Sequence, residues 1–227
     1  MWNNTVIIVD FAKTITSSKN PTTWSVFAKS GILWNEYINE RNDLFNQYIN
    51  FELDWNIEET KNWWKKHMEL FVKYGLNKKI INNITNSNDY FEPRDWLKDF
   101  LYYIQTNNLD LKIISSWISD FVESFLIQNW INNSKVKIIA NKLNFNTTWD
   151  VIWYDKNSIV TTLNKNEHNL DLSSYKKVFL IWDDISDLKM YNWSCTKIWF
   201  CEQEKVKWYD IYLWKNWNLS DVLKYIN

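Results

Sequence analysis

The chain has 227 residues and a formal net charge of −1, enough for one domain with a smaller inserted one. The balanced charge offers no basic surface for nucleic acid and no acidic excess typical of disorder. No apolar run approaches the ~20 residues of a membrane span, and MWNNTVIIVD at the N-terminus lacks the basic start of a secretion signal, so we expect a cytosolic protein. Cys195 and Cys201 are too few for a disulfide framework or a zinc site, and we expect buried, inert thiols.

The contents of tryptophan and glycine are abnormal. The chain has 17 tryptophans and 2 glycines, whereas average usage of ~7% would give about 16 glycines. Several tryptophans stand in turn-like contexts, as in DWN at Trp55 and KNWN at Trp217. Some bacterial lineages read the UGA codon as glycine, while other codes read it as tryptophan. We interpret most of these tryptophans as glycines in the organism; the alternative is a genuinely tryptophan-rich protein with aromatic binding surfaces.

Short apolar runs along the chain predict the strands of a buried sheet. Continuous Val, Ile and Leu, rather than alternation with polar residues, is typical of parallel strands covered on both faces. The runs lie at 6–9, 111–114, 136–140, 178–181 and 197–200, with a sixth candidate at 211–213. Helical patterns lie at 94–108 and 119–129, the second with Ser119 as a candidate N-cap. This alternation predicts an α/β fold with a Rossmann-like, doubly wound parallel sheet.

The segment from 21 to 91 has no strand pattern. Residues 57–75 form one amphipathic pattern, with Trp64, Met68 and Phe71 on the same face and Gly75 placed as a C-terminal cap. We therefore predict an inserted all-α cap domain at 21–91. The core domain is then formed by residues 1–20 and 92–227.

Polar side chains follow four of the predicted strands. They are Asp10 and Thr14 after the first, Ser115 and Ser116 after the second, Lys165 after the third, and Asp183, Asp184 and Asp187 after the fourth. Ligands of open parallel sheets bind at the carboxyl ends of the strands. Carboxylates suit Mg²⁺, and hydroxyls with a lysine suit phosphate. One such residue alone is usually a turn former or a solvated side chain, but four signals in this order predict a site.

The same residues carry a resemblance to a known group. DFAKT, SSWIS, Lys165 and WDDISD resemble the four motifs of the haloacid dehalogenase (HAD) superfamily, Asp-x-Asp-x-Thr, Ser/Thr, Lys and Gly-Asp-x-x-x-Asp. Within it the chain is similar to the cytosolic pyrimidine 5′-nucleotidases of type III, through LFNQYINFELD, NWWKKH, LNKN and TKIWF. Trp182 and Trp117 stand where these motifs have glycine, whereas Trp63 and Trp64 match family tryptophans and are taken as genuine.

The resemblance implies a Mg²⁺-dependent phosphohydrolase that acts on a nucleoside monophosphate or a similar small phosphate ester. Asp10 would be the nucleophile that forms an aspartyl-phosphate, with Lys165 and Thr14 as further catalytic residues. The metal ligands would be Asp10, the backbone carbonyl of Ala12, Asp183 and Asp187. The substrate-binding residues would be Ser115, Ser116, Glu52, Trp64 and His67, the last standing where the family usually has serine.

Ala12 departs from the family pattern, because it replaces the aspartate that protonates the leaving group and then activates water. Losing such acid–base catalysis costs ~10²–10⁴-fold in rate. Two alternatives stay open: a non-catalytic homologue that binds a phosphorylated metabolite, and a phosphonatase-like C–P hydrolase. The second would need a Schiff-base lysine in the cap, for which Lys29, Lys65 and Lys66 are candidates. We expect neither a nucleic-acid nor a membrane partner; the oligomeric state stays open.

Overall fold

A computed structural model describes residues 4–31, 33–87, 89–129, 136–168, 170–190, 194–201 and 209–226. Its eight strands are β1 Thr5–Asp10, β2 Asp110–Ile118, β3 Val136–Asn141, β4 Leu143–Phe145, β5 Val151–Tyr154, β6 Lys177–Trp182, β7 Thr196–Cys201 and β8 Ile211–Trp214. Six of them form one sheet in the order β3-β2-β1-β6-β7-β8, and every neighbouring pair is parallel. The six predicted runs are confirmed as the strands of this doubly wound α/β sheet.

The central strand β1 explains why the sequence reads as continuous apolar runs. All six of its residues are buried. Ile7 and Val9 pack into the core on one face of the sheet, and Val6 and Ile8 pack into a second core on the other face. Since both faces are covered, the positions from Val6 to Val9 are all apolar, and Asp10 follows them at the carboxyl end of the strand.

The helices are α1 Thr23–Lys29, α2 Asn35–Leu53, α3 Ile57–Lys73, α4 Lys78–Thr85, α5 Leu97–Thr106, α6 Ser119–Gln128 and α7 Leu219–Ile226. In the described part of 21–91 there are helices and no strand, as predicted. Helices α2 and α3 pack against each other, whereas α4 packs on α6, where Thr85 Oγ1 lies 2.7 Å from Ser124 Oγ. The described helices include none that is long and apolar enough to cross a bilayer.

Two local predictions are wrong. Ser119 is the first residue of α6 and not its N-cap, because β2 stays extended as far as Ile118, which takes the cap position without a side-chain hydrogen bond. Cys195 is only partly buried, since it lies just before β7, while Cys201 is buried in that strand; the two do not form a disulfide.

The antiparallel hairpin of β4 and β5 was not predicted. Its turn is closed by hydrogen bonds from Trp149 N to Asn146 O (3.1 Å) and from Asn146 N to Asp150 O (3.0 Å). Trp149 has a φ of 66°, the left-handed conformation that a hairpin turn of this kind usually gives to glycine. With tryptophan at this position, the sequence lacks the glycine that would mark the hairpin turn.

Candidate active site

The floor of the site lies where the carboxyl ends of β1 and β6 meet. Asp10 ends β1 and is 4% exposed. The Nζ atom of Lys165 lies 2.5 Å from Asp10 Oδ1 and also contacts Asp187 Oδ1. Asp183 follows β6, and its Oδ1 accepts a hydrogen bond of 2.9 Å from Thr14 Oγ1. Because β1 and β6 are neighbours in the sheet, residues more than 150 positions apart share one buried cluster.

The cluster has an excess of negative charge. One ligand oxygen of each of Asp10, Asp183 and Asp187 lies within 4.8 Å of the others, and Lys165 is the one cation bonded to them in the described chain. When all three carboxyls are ionised, they and the one ammonium give a net charge of −2. This charge and the all-oxygen donor set fit a divalent cation such as Mg²⁺.

Burial and the closeness of the three carboxyls raise their pKa values. Burial raises the pKa of Asp10 to about 6, against the opposing charge of Lys165. Burial and the charge of Asp187 raise the pKa of Asp183 to about 7, and burial raises the pKa of Asp187 to about 8. Burial acts against the charge of Lys165, but the two carboxylates raise its pKa above the usual value. The ammonium therefore stays charged, and the carboxylates need further positive charge to ionise easily.

The loop after β1 is held by a buried arginine. Arg94 is 4% exposed; its Nε donates to Thr14 O at 2.7 Å, and its Nη2 donates to the carbonyl of Lys13. Its Nη1 donates to Lys215 O and Trp217 O, at 2.8 and 2.7 Å. The loop that follows Asp10 is thereby fixed to the turn after β8. The methyl group of Ala12 lines the cavity from this loop, where a carboxylate would otherwise stand.

Two asparagines shape the loop that presents Lys165. Asn141 Nδ2 donates to Ser116 O and to Val160 O, both at 2.8 Å, and so joins the end of β2 to this loop. Asn164 Nδ2 donates to Ile159 O at 2.8 Å. Both side chains are 1% exposed, so the bonds are shielded from water and position the neighbouring lysine firmly.

A cavity of about 260 Å³ lies above this floor. Its roof comes from the helices at 23–73: Trp24, Arg41, Phe45, Ile49, Glu52, Trp63 and Trp64. Arg41, Phe45, Ile49 and Glu52 recur at helical spacing on α2, so one face of this helix forms a wall. At 1.5 Å per residue the wall rises about 16 Å from Glu52 to Arg41. Glu52 marks its lower end, because Glu52 Oε1 accepts a hydrogen bond of 2.5 Å from Thr162 Oγ1, in the loop of Lys165.

The structure brings most of the predicted site residues together around this cavity. Eight of them line it: Asp10, Ala12, Glu52, Trp64, Ser116, Lys165, Asp183 and Asp187. Trp64 Nε1 also donates to Ser116 O at 3.0 Å, which joins α3 to the end of β2.

Three predicted residues do not line the cavity. Thr14 supports Asp183, and buried Ser115 Oγ accepts from Trp117 N at 3.2 Å. His67 stacks on Trp24 with ring centroids 4.3 Å apart, and within the described chain neither of its ring nitrogens has a hydrogen-bond partner.

Some residues that build the site were not predicted from the sequence. Arg41 and Phe45 precede Glu52 at helical spacing, a signal that was present in the sequence. Asn141 ends β3, at the edge where ligands bind. Arg94 gave no signal, because its role depends on contacts with residues about 80 and 120 positions away.

Comparison with known proteins agrees with this geometry. The family model described as pyrimidine 5′-nucleotidase (UMPH-1) matches residues 9–198. A crystal structure of cytosolic 5′-nucleotidase IIIB bound to cytidine is similar, with a TM-score of 0.71 and 22% identity over 87% of this chain and 73% of that one. Apo phosphoserine phosphatase has a TM-score of 0.64 and 15% identity over 98% of both chains. A phosphoserine phosphohydrolase-like protein from Francisella tularensis subsp. tularensis SCHU S4 gives 0.63 and 16% over the whole of both chains.

The family match includes Asp10, Ser116, Lys165 and Asp183, four residues that the fold gathers around one cavity. The structural similarities show that a nucleotidase and a phosphatase share this fold. The chain thus belongs to the pyrimidine 5′-nucleotidase (UMPH-1) family, a family of phosphohydrolases.

Proposed function

We propose that the protein hydrolyses a nucleoside monophosphate, or a similar small phosphate ester, with Mg²⁺ and through an aspartyl-phosphate on Asp10. One observation supports this most: Asp10 lies on the floor of a cavity, beside Lys165 and the carboxyls of Asp183 and Asp187, beneath an aromatic roof. The similar cytosolic 5′-nucleotidase IIIB binds cytidine, a nucleoside, in its crystal structure.

In the first step Asp10 attacks phosphorus, and the bond to the leaving oxygen breaks. Lys165 holds the carboxylate in place and offsets charge on the phosphate oxygens. Asp10, Asp183, Asp187 and the carbonyl of Ala12 are the candidate ligands of Mg²⁺, which when bound would neutralise further phosphate charge. Ser116, with Ser115 behind it, binds the phosphoryl oxygens. In the second step water attacks the aspartyl-phosphate and releases inorganic phosphate.

The aromatic roof suits a planar leaving group. Trp24, Trp63 and Trp64 line the cavity with Phe45, which gives large apolar faces close to the polar floor. Glu52 is the carboxylate that the roof adds, and it can bind the polar edge of a base or act on the leaving oxygen. His67 supports the roof by stacking on Trp24, so its influence on substrate choice is indirect.

Ala12 is the observation that favours a second candidate, a homologue that binds a phosphorylated metabolite without turning it over. The phosphate site of such a protein would be intact while the proton transfer at position 12 is missing. No observation favours C–P cleavage, because Lys29, Lys65 and Lys66 do not line the cavity and Lys29 and Lys66 are exposed.

The first test is Asp10→Asn, assayed for phosphate release from nucleoside monophosphates and from p-nitrophenyl phosphate. We expect turnover to be lost, since an amide is a poor nucleophile and a weaker metal ligand. Acid-quenched protein incubated with ³²P-labelled substrate should carry label in the wild type and none in the variant. Full turnover by Asp10→Asn would contradict covalent catalysis, and binding without turnover by the wild type would favour the second candidate.

A further inference from the structure

The backbone sorts the tryptophans of this chain into two groups. Seven described residues have φ between 55° and 69°: Gly31, Gly75, Asn108, Lys13, Trp55, Trp96 and Trp149. This left-handed region is open to glycine and tolerated by asparagine, but it costs a bulky L-residue of order 1–2 kcal/mol. Three of the seven positions are nevertheless tryptophan, and their side chains are 43%, 54% and 58% exposed, so burial does not explain them.

Trp55 can be compared with a glycine in the same motif. Helix α3 ends with Gly75 in the left-handed conformation, Leu76 N donating to Phe71 O (3.0 Å) and Gly75 N to Val72 O (3.4 Å). Helix α2 ends with the same pair of bonds, from Asn56 N to Phe51 O (2.8 Å) and from Trp55 N to Glu52 O (3.1 Å). This is the Schellman motif, whose left-handed position is usually glycine. Because the backbone at position 55 has the same conformation and hydrogen bonds as at Gly75, glycine is the residue expected at 55.

Buried Trp117 and Trp182 form a further pair. Each is 1% exposed, and in the described chain neither indole Nε1 has a hydrogen-bond partner, but the same holds for buried Trp24 and Trp63, so indole bonding alone does not mark a glycine position. By contrast, Trp64 Nε1 donates to Ser116 O and Trp199 Nε1 donates to Asp183 O, at 3.0 and 3.1 Å. The structure thus gives no reason for glycine at 64 or 199.

We propose that residues 55, 96 and 149 are glycine in the native protein, whereas Trp63 and Trp64, inside helix α3, are genuine. The translation then follows a code in which the codon at the first group means glycine. Backbone conformation thus divides the tryptophans into two groups, and this observation is independent of composition.

The direct experiment is peptide mass spectrometry of the protein from its own organism, together with its coding DNA. We expect glycine masses and UGA codons at 55, 96 and 149, and tryptophan masses and UGG codons at 63 and 64. Tryptophan masses at the three left-handed positions would overturn the proposal, and so would glycine at 63 and 64.

A recombinant series gives an independent readout. Each tryptophan is replaced by glycine and separately by alanine, which removes the indole without freeing the backbone. At 55, 96 and 149 the glycine variant should have a Tm about 2–4 °C or more above the alanine variant. At helical positions 63 and 64 the order should reverse, because glycine is the poorer helix former. The same order at all five positions would contradict the assignment.

A second inference concerns the proton that Ala12 cannot supply, and it rests on the proposed function. In phosphoryl transfer the attacking and leaving oxygens lie roughly in line, so the leaving oxygen departs on the side opposite Asp10. That side is the roof of the cavity. Among the described residues of the roof helices, Glu52 is the one carboxyl-bearing residue that lines the cavity. Its hydrogen bond with Thr162 holds it beside the loop of Lys165.

The other carboxyls of the cavity are engaged. Asp10 and Asp187 contact Lys165, Asp183 accepts from Thr14, and Asp184 accepts from Ser186 N and Oγ, at 2.9 and 2.8 Å. Burial raises the pKa of Glu52, the hydroxyl of Thr162 opposes this, and the charge of Asp184 adds to it. Glu52 lines the cavity but is not part of the acidic cluster. Its carboxyl group therefore keeps its proton more readily than that of an ordinary glutamate.

We infer that Glu52 is the general acid and base of this chain. Its carboxylic acid gives a proton to the leaving oxygen as the P–O bond breaks, and becomes a carboxylate. The carboxylate then accepts a proton from the water that attacks the aspartyl-phosphate, so that inorganic phosphate is released and the acid is restored. No net proton is gained or lost by the protein over the cycle.

The experiment compares Glu52→Gln with Glu36→Gln, an exposed glutamate in the first turn of the same helix. The leaving group of a nucleoside monophosphate is the nucleoside, a poorly stabilised alkoxide that needs a proton from the acid. The leaving group of p-nitrophenyl phosphate is a stabilised phenolate that does not need one. We expect Glu52→Gln to slow leaving-group release in the first turnover about 10²-fold or more on the nucleotide and less than tenfold on the aryl ester, with Glu36→Gln equal to wild type. Steady-state kcat should fall on both substrates, because both pass through the same water step. An equal fall in the two first-turnover rates, or a change in KM alone, would overturn the inference while leaving the proposed function intact. Wild type inactive on both substrates would overturn both.

Discussion

At the scale of single residues, position 12 is the departure from the family pattern that bears most on the proposed reaction. The floor has Asp10, a fixed ammonium at Lys165 and the acidic cluster, but Ala12 offers only a methyl group to the cavity. Positioning and charge stabilisation are therefore present, while the acid–base group of the family is absent. The consequence falls on substrates with poor leaving groups, because they depend most on protonation.

We predict that Ala12→Asp raises nucleotidase turnover by up to ~10²-fold, since the acid–base group is restored at the position where the family has it. Aryl phosphate turnover should change much less. The measurement is kcat on both substrates in wild type and variant, made with glycine at the left-handed positions so that folding defects are not mistaken for chemical ones. Mg²⁺ binding checks that the site is intact; a variant that binds Mg²⁺ and gains nothing on any nucleotide would argue for a binding protein.

At the scale of elements, the sequence predicted what depends on local composition and missed what depends on distant contacts. Strands β1 and β6 were predictable because both faces are buried, and Asp10 and Asp183 because they follow those strands. Helix α2 has only Tyr37 and Tyr48 fully buried among 19 residues, so its amphipathic signal is weak. The β4–β5 hairpin was hidden because its turn shows Trp149 where glycine would mark it.

The packing of α1 against α3 predicts a dependence of stability on pH. Burial, with the nearby charge of Arg41, lowers the pKa of His67 to about 3, whereas the unfolded chain has about 6.5. The unfolded state thus binds more protons between these values, so stability that is present above pH 6.5 falls as pH decreases towards 3. At pH 5 the loss from this residue is about 2 kcal/mol.

The measurement is urea unfolding at pH 7 and pH 5, for wild type and His67→Phe. Phenylalanine keeps a ring against Trp24 and cannot be protonated, so the variant should lose about 2 kcal/mol less between the two pH values. Equal losses in both proteins would mean that His67 is not buried in the neutral form.

At the scale of the whole molecule, the fold gathers more negative than positive charge at the site. Arg94 joins the loop after β1 to the turn after β8, and Asn141 joins β2 to the loop of Lys165, so chain segments far apart in sequence converge on the floor. What they bring together is a cluster whose net charge is −2 when its three carboxyls are ionised. Such charge destabilises the folded chain unless a cation compensates it.

We therefore predict opposite effects of Asp183→Ala with and without metal. In EDTA the variant should be at least as stable as wild type, because one crowded carboxylate is removed. In Mg²⁺ the wild type should gain more: a ligand at one hundred times its Kd adds ~2.7 kcal/mol, or about 5–10 °C in Tm for a chain of this size. The measurement is thermal unfolding of both proteins in EDTA, in Mg²⁺ and in K⁺ at matched ionic strength. If Mg²⁺ raised Tm equally in the two proteins, the cation would bind elsewhere. If Mg²⁺ and K⁺ raised Tm equally, the effect would be ionic screening and not binding.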